Sequence, residues 1–439
     1  METAGGNSVS REGGRGGRSV YGRAEMRRER IETDQAFFAE RMQKRVLGGR
    51  RSLSRARALA PHLGVDLDAW RAHPEAVISV VGSKGKGTAA TFASAALAAT
   101  GLRVGTLTSP GLRSNRERIR VDGQAIPRRD YEALVGEVAA TLTRVSDLLP
   151  DDGYLSPSGL FTLSALRHFA GRGCDAVVLE AGMGGASDEV SLVAPGVVVV
   201  TPILSEHVGV LGDTVAEIAA EKAGVVTAAT RDVVAAIQEE PGVETAVLLA
   251  ARRHGCRYHR VGGDAERPGP DPAPGLGALN ARLGVVAALR LLDLAGLPAP
   301  PPEALDASLQ SVSLPGRLSH HRRGNQDWVI DCATNPAAIT AAISYTTATV
   351  GPPTAVLTFL PHHRDAAPLL EALRDWPVVR IPGGRSTGGP GGGAVMRLEE
   401  VDLDALGPRV LAVGPVYFVG ELLAILDVDC ERSFTTSHR

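Results

Sequence analysis

The sequence predicts an α/β protein, with a doubly wound parallel sheet in a larger N-terminal domain and a smaller C-terminal α/β domain. Between about residues 34 and 297, short β-branched runs alternate with stretches rich in alanine and leucine. The first runs are VISVVG, VGTLTS, AVVLEAG and GVVVVTPIL. This alternation is typical of β-α-β units, whose strands pair in parallel. Three later runs, WVIDCA, TAVLTFL and RVLAVG, predict the second α/β unit.

Changes in composition along the chain predict its domain organisation. The proline-rich segment 296–304 (GLPAPPPEA) is typical of a linker between domains. Two further Pro/Gly-rich segments, 266–277 and 383–393, predict surface loops inside the two domains. In chain order we expect a disordered Gly/Arg-rich tail (1–33), a central domain (34–297), a C-terminal domain (298–428) and a short tail (429–439).

Composition excludes several classes of function. The 439 residues include 47 basic and 49 acidic residues, so the net charge of −2 favours neither nucleic acid nor a membrane surface as a partner. The four cysteines lie far apart and form no CxxC pair, which argues against a zinc site and a disulfide framework. No apolar run approaches the roughly 18 residues of a membrane span. We expect a cytoplasmic monomer that binds small molecules.

One segment carries a chemical signal: the run VISVVG is followed by SKGKGT and an alanine-rich stretch. A strand, a glycine-rich loop and a helix start form a phosphate cradle, because backbone N–H groups and the helix dipole point at the anion. Only four of the 47 lysine and arginine residues are lysines, and Lys84 and Lys86 both lie in this loop. The spacing G-x-x-G-K-G-T differs from that of the general P-loop. An ordinary Gly-rich turn is the alternative.

Eight further motifs, in order, carry a resemblance to a known family. The sequence resembles the folylpolyglutamate synthase branch of the Mur ligase superfamily between about residues 40 and 425. Together with Gly82–Thr88, the matching motifs are Thr108–Leu112 (TSPGL), Glu117–Ile119 (ERI), Glu180–Asp188 (EAGMGGASD), Glu206–Gly212 (EHVGVLG), Glu221–Val225 (EKAGV), Asn280, Pro315–Leu318 (PGRL) and Asp331–Pro336 (DCATNP).

The resemblance implies an ATP-dependent carboxylate–amine ligase. In this family ATP phosphorylates an acid, and the amine of an amino acid attacks the acyl phosphate. Two Mg²⁺ ions and a Lys222 carboxylated on its ε-nitrogen are implied as cofactors. The nucleotide-binding residues would be Gly82, Ser83, Lys84, Gly85, Lys86, Gly87, Thr88, Asn280, Arg317 and Asp331. The metal ligands would be Thr88, Ser109, Glu180, His207 and Lys222, and the catalytic residues Lys86, His207 and Lys222.

The sequence departs from the family pattern at residues that, by the resemblance, would face the acid and the incoming amino acid. They are Gly111 for His, Leu160-Phe161 for Phe-Glu, Ala186 for Arg, Val190-Ser191 for Thr-Asn, Thr334 for His, and His363-Arg364-Asp365 for Asp-Lys-Asp. A site that loses polar contacts changes its choice of ligand. The sequence therefore predicts ligation of a non-folate acid to an amino acid such as glutamate. A genuine dihydrofolate or folylpolyglutamate synthase and an inactive nucleotide-binding paralogue are the alternatives.

Overall fold

The computed structural model contains two large sheets with helices on both faces and a small two-stranded sheet, which confirms the predicted fold class. It describes residues 35–44, 50–262, 276–359, 367–381, 383–385, 394–396, 398 and 401–436. The predicted disordered tail, 1–33, lies outside these residues. Within them, no helix is long and apolar enough to cross a membrane.

The first sheet has eight strands in the order β4-β3-β2-β5-β1-β6-β7-β8. All pair in parallel except β3 and β4, which form an antiparallel edge. The central strands consist almost entirely of buried Val, Ile and Leu, because helices cover both faces. The strands are β1 (Val77–Val81), β2 (Val104–Leu107), β3 (Ile119–Val121), β4 (Gln124–Ala125), β5 (Ala176–Glu180), β6 (Val197–Val200), β7 (Asp232–Ala236) and β8 (Arg257–Val261).

Two layers of helices pack on this sheet. One face carries α4 (Lys86–Ala98), α9 (Leu276–Ala295) and α10 (Pro302–Gln310). The other face carries α1 (35–44), α2 (Leu53–Leu59), α3 (Leu67–Ala72), α5 (Arg128–Val145), α6 (Pro157–Gly171), α7 (Val215–Ala223) and α8 (Pro241–Arg253). The alanine-rich α4 is buried on all sides, since small side chains let α9 approach it closely.

The second sheet has five strands in the order β12-β11-β15-β10-β9, with only β9 antiparallel. Its strands are β9 (Ser319–Arg323), β10 (Gln326–Asp331), β11 (Ala355–Thr358), β12 (Val378–Arg380) and β15 (Arg409–Val413). Helices α11 (Pro336–Thr349) and α12 (Ala367–Ala372) cover one face, and α13 (Val416–Ile425) covers the other. The segments β13 (Gly383–Arg385) and β14 (Ala394–Met396) form a separate antiparallel pair.

Contacts around the predicted boundaries bear on the domain organisation. Helix α10 packs on α4, and Ser308 Oγ donates to the Ala95 carbonyl at 2.8 Å. Phe434 is 1% exposed and lies in the core of the first sheet, and the Ala125 N–H donates to the Glu431 carbonyl at 2.8 Å. These contacts show that α10 and Phe434 pack on the first sheet, while the domain boundaries at residues 298 and 429 stay predictions.

Two predicted loops lie partly outside the described residues. The part of 266–277 that the structure describes is residues 276–277, the first two residues of α9. Of 383–393, residues 383–385 form β13, so this part of the predicted loop is a paired strand.

The contact between α4 and α9 generates a stability prediction. A Cβ at Gly284 would lie 2.2 Å from the Ala89 carbonyl oxygen, so Gly284→Ala forces the two helices apart. We expect a loss of about 1–3 kcal/mol in the free energy of unfolding, measured by urea denaturation. Gly136 on α5 faces open space, and Gly136→Ala is the matched control, expected to gain about 0.5–1 kcal/mol. Equal stability of the two variants would contradict the helix contact.

Candidate functional site

The site lies where the connections of the first sheet change direction. Strands β1 and β6 are parallel neighbours, but α4 follows β1 on one face and α7 follows β6 on the other. Such a switch point opens a crevice at the carboxyl ends of the strands, where ligands of open α/β sheets bind. The loop 82–88 leaves β1 in this crevice, and the Ser83 N–H donates to the Pro202 carbonyl at 2.9 Å.

Two glycines of this loop occupy positions that no other residue fits. Gly82 and Gly85 have φ angles of 134° and 85°. A Cβ at Gly82 would lie 2.0 Å from Thr201 Oγ1, and one at Gly85 would lie 1.9 Å from Asn280 Nδ2. Helix α4 then begins at Lys86 without a side-chain cap from Gly85. The backbone N–H groups at the helix start therefore suit an anionic ligand.

Two lysines meet at the Gly82 carbonyl oxygen. Lys86 Nζ donates to it at 3.0 Å, and Lys222 Nζ donates to it at 2.9 Å. Lys222 is only 1% exposed and also forms an ion pair with Glu206 at 2.9 Å. Burial, together with the charge of Lys86, lowers the pKa of Lys222 against the opposing effect of Glu206. The site therefore holds a lysine that loses its proton more readily than an exposed one.

A buried carboxylate lies beside the start of α4. Glu180 ends β5, is 5% exposed and accepts the Ser109 N–H at 2.8 Å. A Cβ on Gly87 would lie 3.3 Å from its Oε2 atom, so the carboxylate is next to the loop. Burial raises the pKa of Glu180, although the charge of Lys86 opposes this. Ser109 contacts Glu180, and Thr88 follows Gly87 in the chain, so two hydroxyls and a buried carboxylate form a donor set that suits Mg²⁺.

Arg118 belongs to the site but is absent from the residues that the sequence singled out. Its Nη1 atom donates to Ser109 Oγ at 2.9 Å, and its guanidinium carbon lies 4.5 Å from the centre of the Phe161 ring. Phe161 in turn stacks on Phe37, with ring centres 4.4 Å apart. The ERI motif is the signal that pointed to this residue.

The loop between β6 and α7 carries His207. This residue is exposed and has a φ of 52°, and its carbonyl accepts the N–H groups of Val210 and Leu211. Across the described parts of the chain, no three His, Cys, Asp or Glu side chains cluster as a ready-made metal site. The ligand role of His207 stays a prediction, because it also requires a modified Lys222.

The second sheet presents its own carboxyl edge to the crevice. Asp331 ends β10 and accepts the Leu318 N–H at 2.8 Å. Burial raises the pKa of Asp331, and the charges of Arg317 and Lys84 oppose this. The charge of Arg317 also acts on Glu180. Lys84 and Glu180 from the first sheet therefore lie close to Arg317 and Asp331 from the second.

The structure thus brings most of the predicted residues to one crevice, while Asn280 lies behind the loop. It packs on Gly85 and is 1% exposed. Which residues contact nucleotide or metal stays a prediction.

Comparisons with known proteins agree with this geometry. The chain is 40% identical over 190 residues to a probable bifunctional folylpolyglutamate synthase/dihydropteroate synthase of Haloferax volcanii, covering 42% of the chain and 21% of that protein. It is 36% identical over 207 residues to a dihydrofolate synthase/folylpolyglutamate synthase of Mycobacterium tuberculosis, covering 45% of the chain and 42% of that protein. The matched segments therefore span less than half of these relatives. No family model matches the chain.

Solved structures extend the likeness of the fold over nearly the whole chain. The apo form of Lacticaseibacillus casei folylpolyglutamate synthase has a TM-score of 0.72 at 22% identity, with 88% of this chain and 98% of that chain covered. The Mycobacterium tuberculosis enzyme complexed with ADP has a TM-score of 0.69 at 23% identity, with 90% and 99% covered. The chain therefore has the fold of these folylpolyglutamate synthase structures.

The loop after Ser109 explains one departure from the family pattern. A Cβ at Gly111 would lie 2.1 Å from the Ser114 carbonyl oxygen. The Glu117 carboxylate holds this turn closed by accepting the N–H groups of residues 112–114. A histidine at position 111 requires a different loop conformation, so the substitution changes backbone shape as well as polarity.

Other departures are packed into the protein. Phe161 is 1% exposed, and this position offers no polar group. Ala186 lies against Gly224, where a Cβ would come within 2.5 Å of the Ala186 Cβ, so an arginine would have to rearrange this contact. Val190 is fully buried. His363, Arg364 and Asp365 lie outside the described residues.

A buried charged network supports the segment that follows Glu180. Arg51 donates to the Met183 carbonyl at 2.9 Å and forms ion pairs with the fully buried carboxylates of Asp188 and Glu189. Asp188 also accepts the N–H groups of Gly182 and Met183. Arg51 therefore fixes the path of residues 181–189 between Glu180 and the next strand.

Removing Arg51 tests this network. Arg51→Met leaves two buried carboxylates without their cation, and we expect a loss of about 3–5 kcal/mol in the free energy of unfolding by urea denaturation. Arg129→Met, at an exposed position on α5, is the matched control and is expected to change it by less than about 0.5 kcal/mol.

The loss of stability in Arg51→Met is expected to depend on pH. Burial raises the pKa of Glu189, and Arg51 opposes this, so removing Arg51 raises that pKa further. The folded variant then binds more protons than its unfolded state, and its stability relative to the wild type improves as the pH falls from about 8 to about 5.5. An equal loss of stability at about pH 8 and about pH 5.5 would contradict the ion pair between Arg51 and Glu189.

Proposed function

We propose that the protein is an ATP-dependent ligase that joins the carboxyl group of a folate-type acid to the amine of glutamate. The observation that carries the proposal is the glycine loop 82–88 at the switch point, with Lys86, Lys222 and Glu180 around it. Across the crevice, Arg317 and Asp331 supply a second set of charges. The ADP complex of the Mycobacterium tuberculosis enzyme supports a nucleotide in a fold of this kind.

The proposed reaction assigns a task to each of these groups. The N–H groups at the start of α4 and the Lys86 ammonium bind the terminal phosphates and offset their charge as the acid's carboxylate approaches. Arg118 lies beside Ser109, at the entrance for the acid, where its guanidinium orients that carboxylate. Arg317, carried by the second domain, faces Glu180 and helps to exclude water from the acyl phosphate.

The residues present suit Mg²⁺. Thr88, Ser109 and Glu180 would hold one ion, and His207 with a carboxylated Lys222 would hold a second. The ions supply charge neutralisation along the triphosphate. Burial raises the pKa of Glu180, which is expected of a carboxylate whose cation partner binds together with the substrate.

The prediction of a non-folate acid gains no support from the comparisons. The altered residues predicted a non-folate acid, whereas the relatives with 34–40% identity are described as dihydrofolate or folylpolyglutamate synthases. The folate alternative is therefore the better supported. The inactive-paralogue alternative is disfavoured, because the loop lysine, Glu180 and Lys222 share one crevice.

An ADP-release assay tests the proposal. With Mg-ATP, glutamate and dihydropteroate or a reduced folate, we expect turnover that requires all three substrates. Lys86→Ala is expected to lower ATP affinity by about tenfold or more, measured by calorimetry, because it removes a point charge from the phosphates. Lys44→Ala, at the edge of the same domain, is the matched control and is expected to bind ATP as the wild type does.

Turnover only with acids that lack a pteridine would restore the non-folate prediction. Unchanged ATP affinity in Lys86→Ala would contradict the phosphate loop.

A further test addresses the state of Lys222. Its lowered pKa makes the neutral amine, which is the form that adds CO₂, more accessible than in an exposed lysine. In ¹³C-bicarbonate and Mg-ATP we expect a carbamate signal by ¹³C NMR that is absent from Lys222→Ala. Lys222→Ala is expected to lose turnover by about a hundredfold or more and to regain part of it with added short carboxylic acids. Full activity of Lys222→Ala, or an identical carbamate signal in both proteins, would contradict the modification.

A further inference from the structure

A second cavity lies at the opposite edge of the first sheet from the glycine loop. It has a volume of about 650 Å³ and lies at the amino ends of β1 and β5, where Ala76 and Ala176 contribute to its wall. Helices α3, α4, α6 and α9 supply the remaining walls. Lys86 begins α4 and Leu97 of the same helix lines this cavity, so the cavity and the loop are separated by most of the helix, about 16 Å.

The size and lining of the cavity suit a small organic molecule. Pockets that bind such ligands enclose about 300–1,000 Å³ and are mostly apolar. Here the apolar wall consists of Trp70, Leu97, Leu102, Leu166, Leu291 and Leu297. Trp70 is half-buried, so its indole ring forms part of the surface that a ligand would contact.

The polar rim of the cavity carries an excess of negative charge. Asp66, Glu75 and Asp175 contribute three carboxylates: Asp66 caps α3, Glu75 contacts His73 of the same wall at 3.1 Å, and Asp175 accepts the Arg103 N–H at 2.7 Å. The guanidinium of Arg167 also lines the cavity, but it pairs with Glu137 at 2.8 Å and donates to the Leu63 carbonyl. The rim therefore complements a cation better than an anion.

We propose that this cavity is a second binding site, which takes an amphipathic organic cation. The apolar body of the ligand packs against the leucines, and its ammonium group lies at the rim near Asp66, Glu75 and the face of Trp70. A cation over an indole ring gains about 0.5–2 kcal/mol beyond the burial of its apolar body. The site is independent of the proposed ligase activity, because it shares no residue with the phosphate crevice.

Three probes with one aromatic body and different charges test the proposal. They are 2-naphthylmethylamine, 2-naphthalenemethanol and 2-naphthoate, titrated into the full-length protein by calorimetry at low salt. We expect saturable binding of the amine at one site, about tenfold tighter than that of the carboxylate, since several partly exposed carboxylates each contribute a fraction of a kcal/mol to well over one. The preference is expected to shrink at high salt. Equal affinity for all three probes would overturn the cation assignment.

Variants locate the binding. Ala170→Phe and, separately, Ala295→Phe fill the cavity from exposed positions on its wall and are expected to abolish amine binding. Ala140→Phe, at an exposed position on α5, is the matched control and is expected to leave it unchanged. If both Ala170→Phe and Ala295→Phe still bind the amine, the ligand does not occupy this cavity and the proposal is wrong.

Two charge variants test the rim. Asp66→Asn removes a charge but keeps the helix cap, since asparagine caps as well as aspartate does. Combined with Glu75→Gln, it is expected to reduce the preference for the amine to about threefold or less. Saturating Mg-ATP is expected to leave amine affinity unchanged, and competition between them would overturn the separation of the two sites.

Discussion

The Gly82 carbonyl oxygen accepts hydrogen bonds from two lysine ammonium groups, and the crevice is organised around this contact. Two positive charges within about 3 Å of one oxygen repel each other, and Glu206 offsets only part of this repulsion. The two ammonium groups therefore favour an anion at this point of the crevice. In a chain that uses arginine almost everywhere else, lysine is retained because a compact ammonium group fits where a planar guanidinium does not.

This contact constrains the backbone and, through it, the core. Gly82 reaches the position only with a positive φ, and Gly85 leaves room for the amide of Asn280 on α9. Helices α4, α7 and α9 must therefore all approach the end of β1. The alanine-rich surface of α4 and the glycine at position 284 let α9 come near enough. The packing of the first sheet and the geometry of the site are consequences of the same small residues.

Local sequence pattern predicted what depends on local interactions. The buried strands β1, β2, β5 and β6 coincide with runs of β-branched residues, and the glycine loop coincides with its motif, because each is encoded in a few consecutive residues. The antiparallel edge β3–β4 and the burial of Phe434 were not predicted, since they depend on partners far away in the chain. The contact of Arg51 with Asp188 and Glu189 is of the same kind: nothing near Arg51 in sequence indicates two buried carboxylates.

The loop after Ser109 connects the crevice to the second domain. Ser109 itself donates its N–H to Glu180. The turn that follows packs on α13, where a Cβ at Gly420 would lie 2.0 Å from the Leu112 carbonyl oxygen. Arg113 donates to the carbonyl of Val428, which packs on the core of the second sheet, at 2.6 Å. Any movement of one sheet relative to the other must break these contacts or carry the loop with it. The tight turn at position 111 is therefore part of the contact between the domains, and a bulkier residue there acts on α13 as well as on the loop.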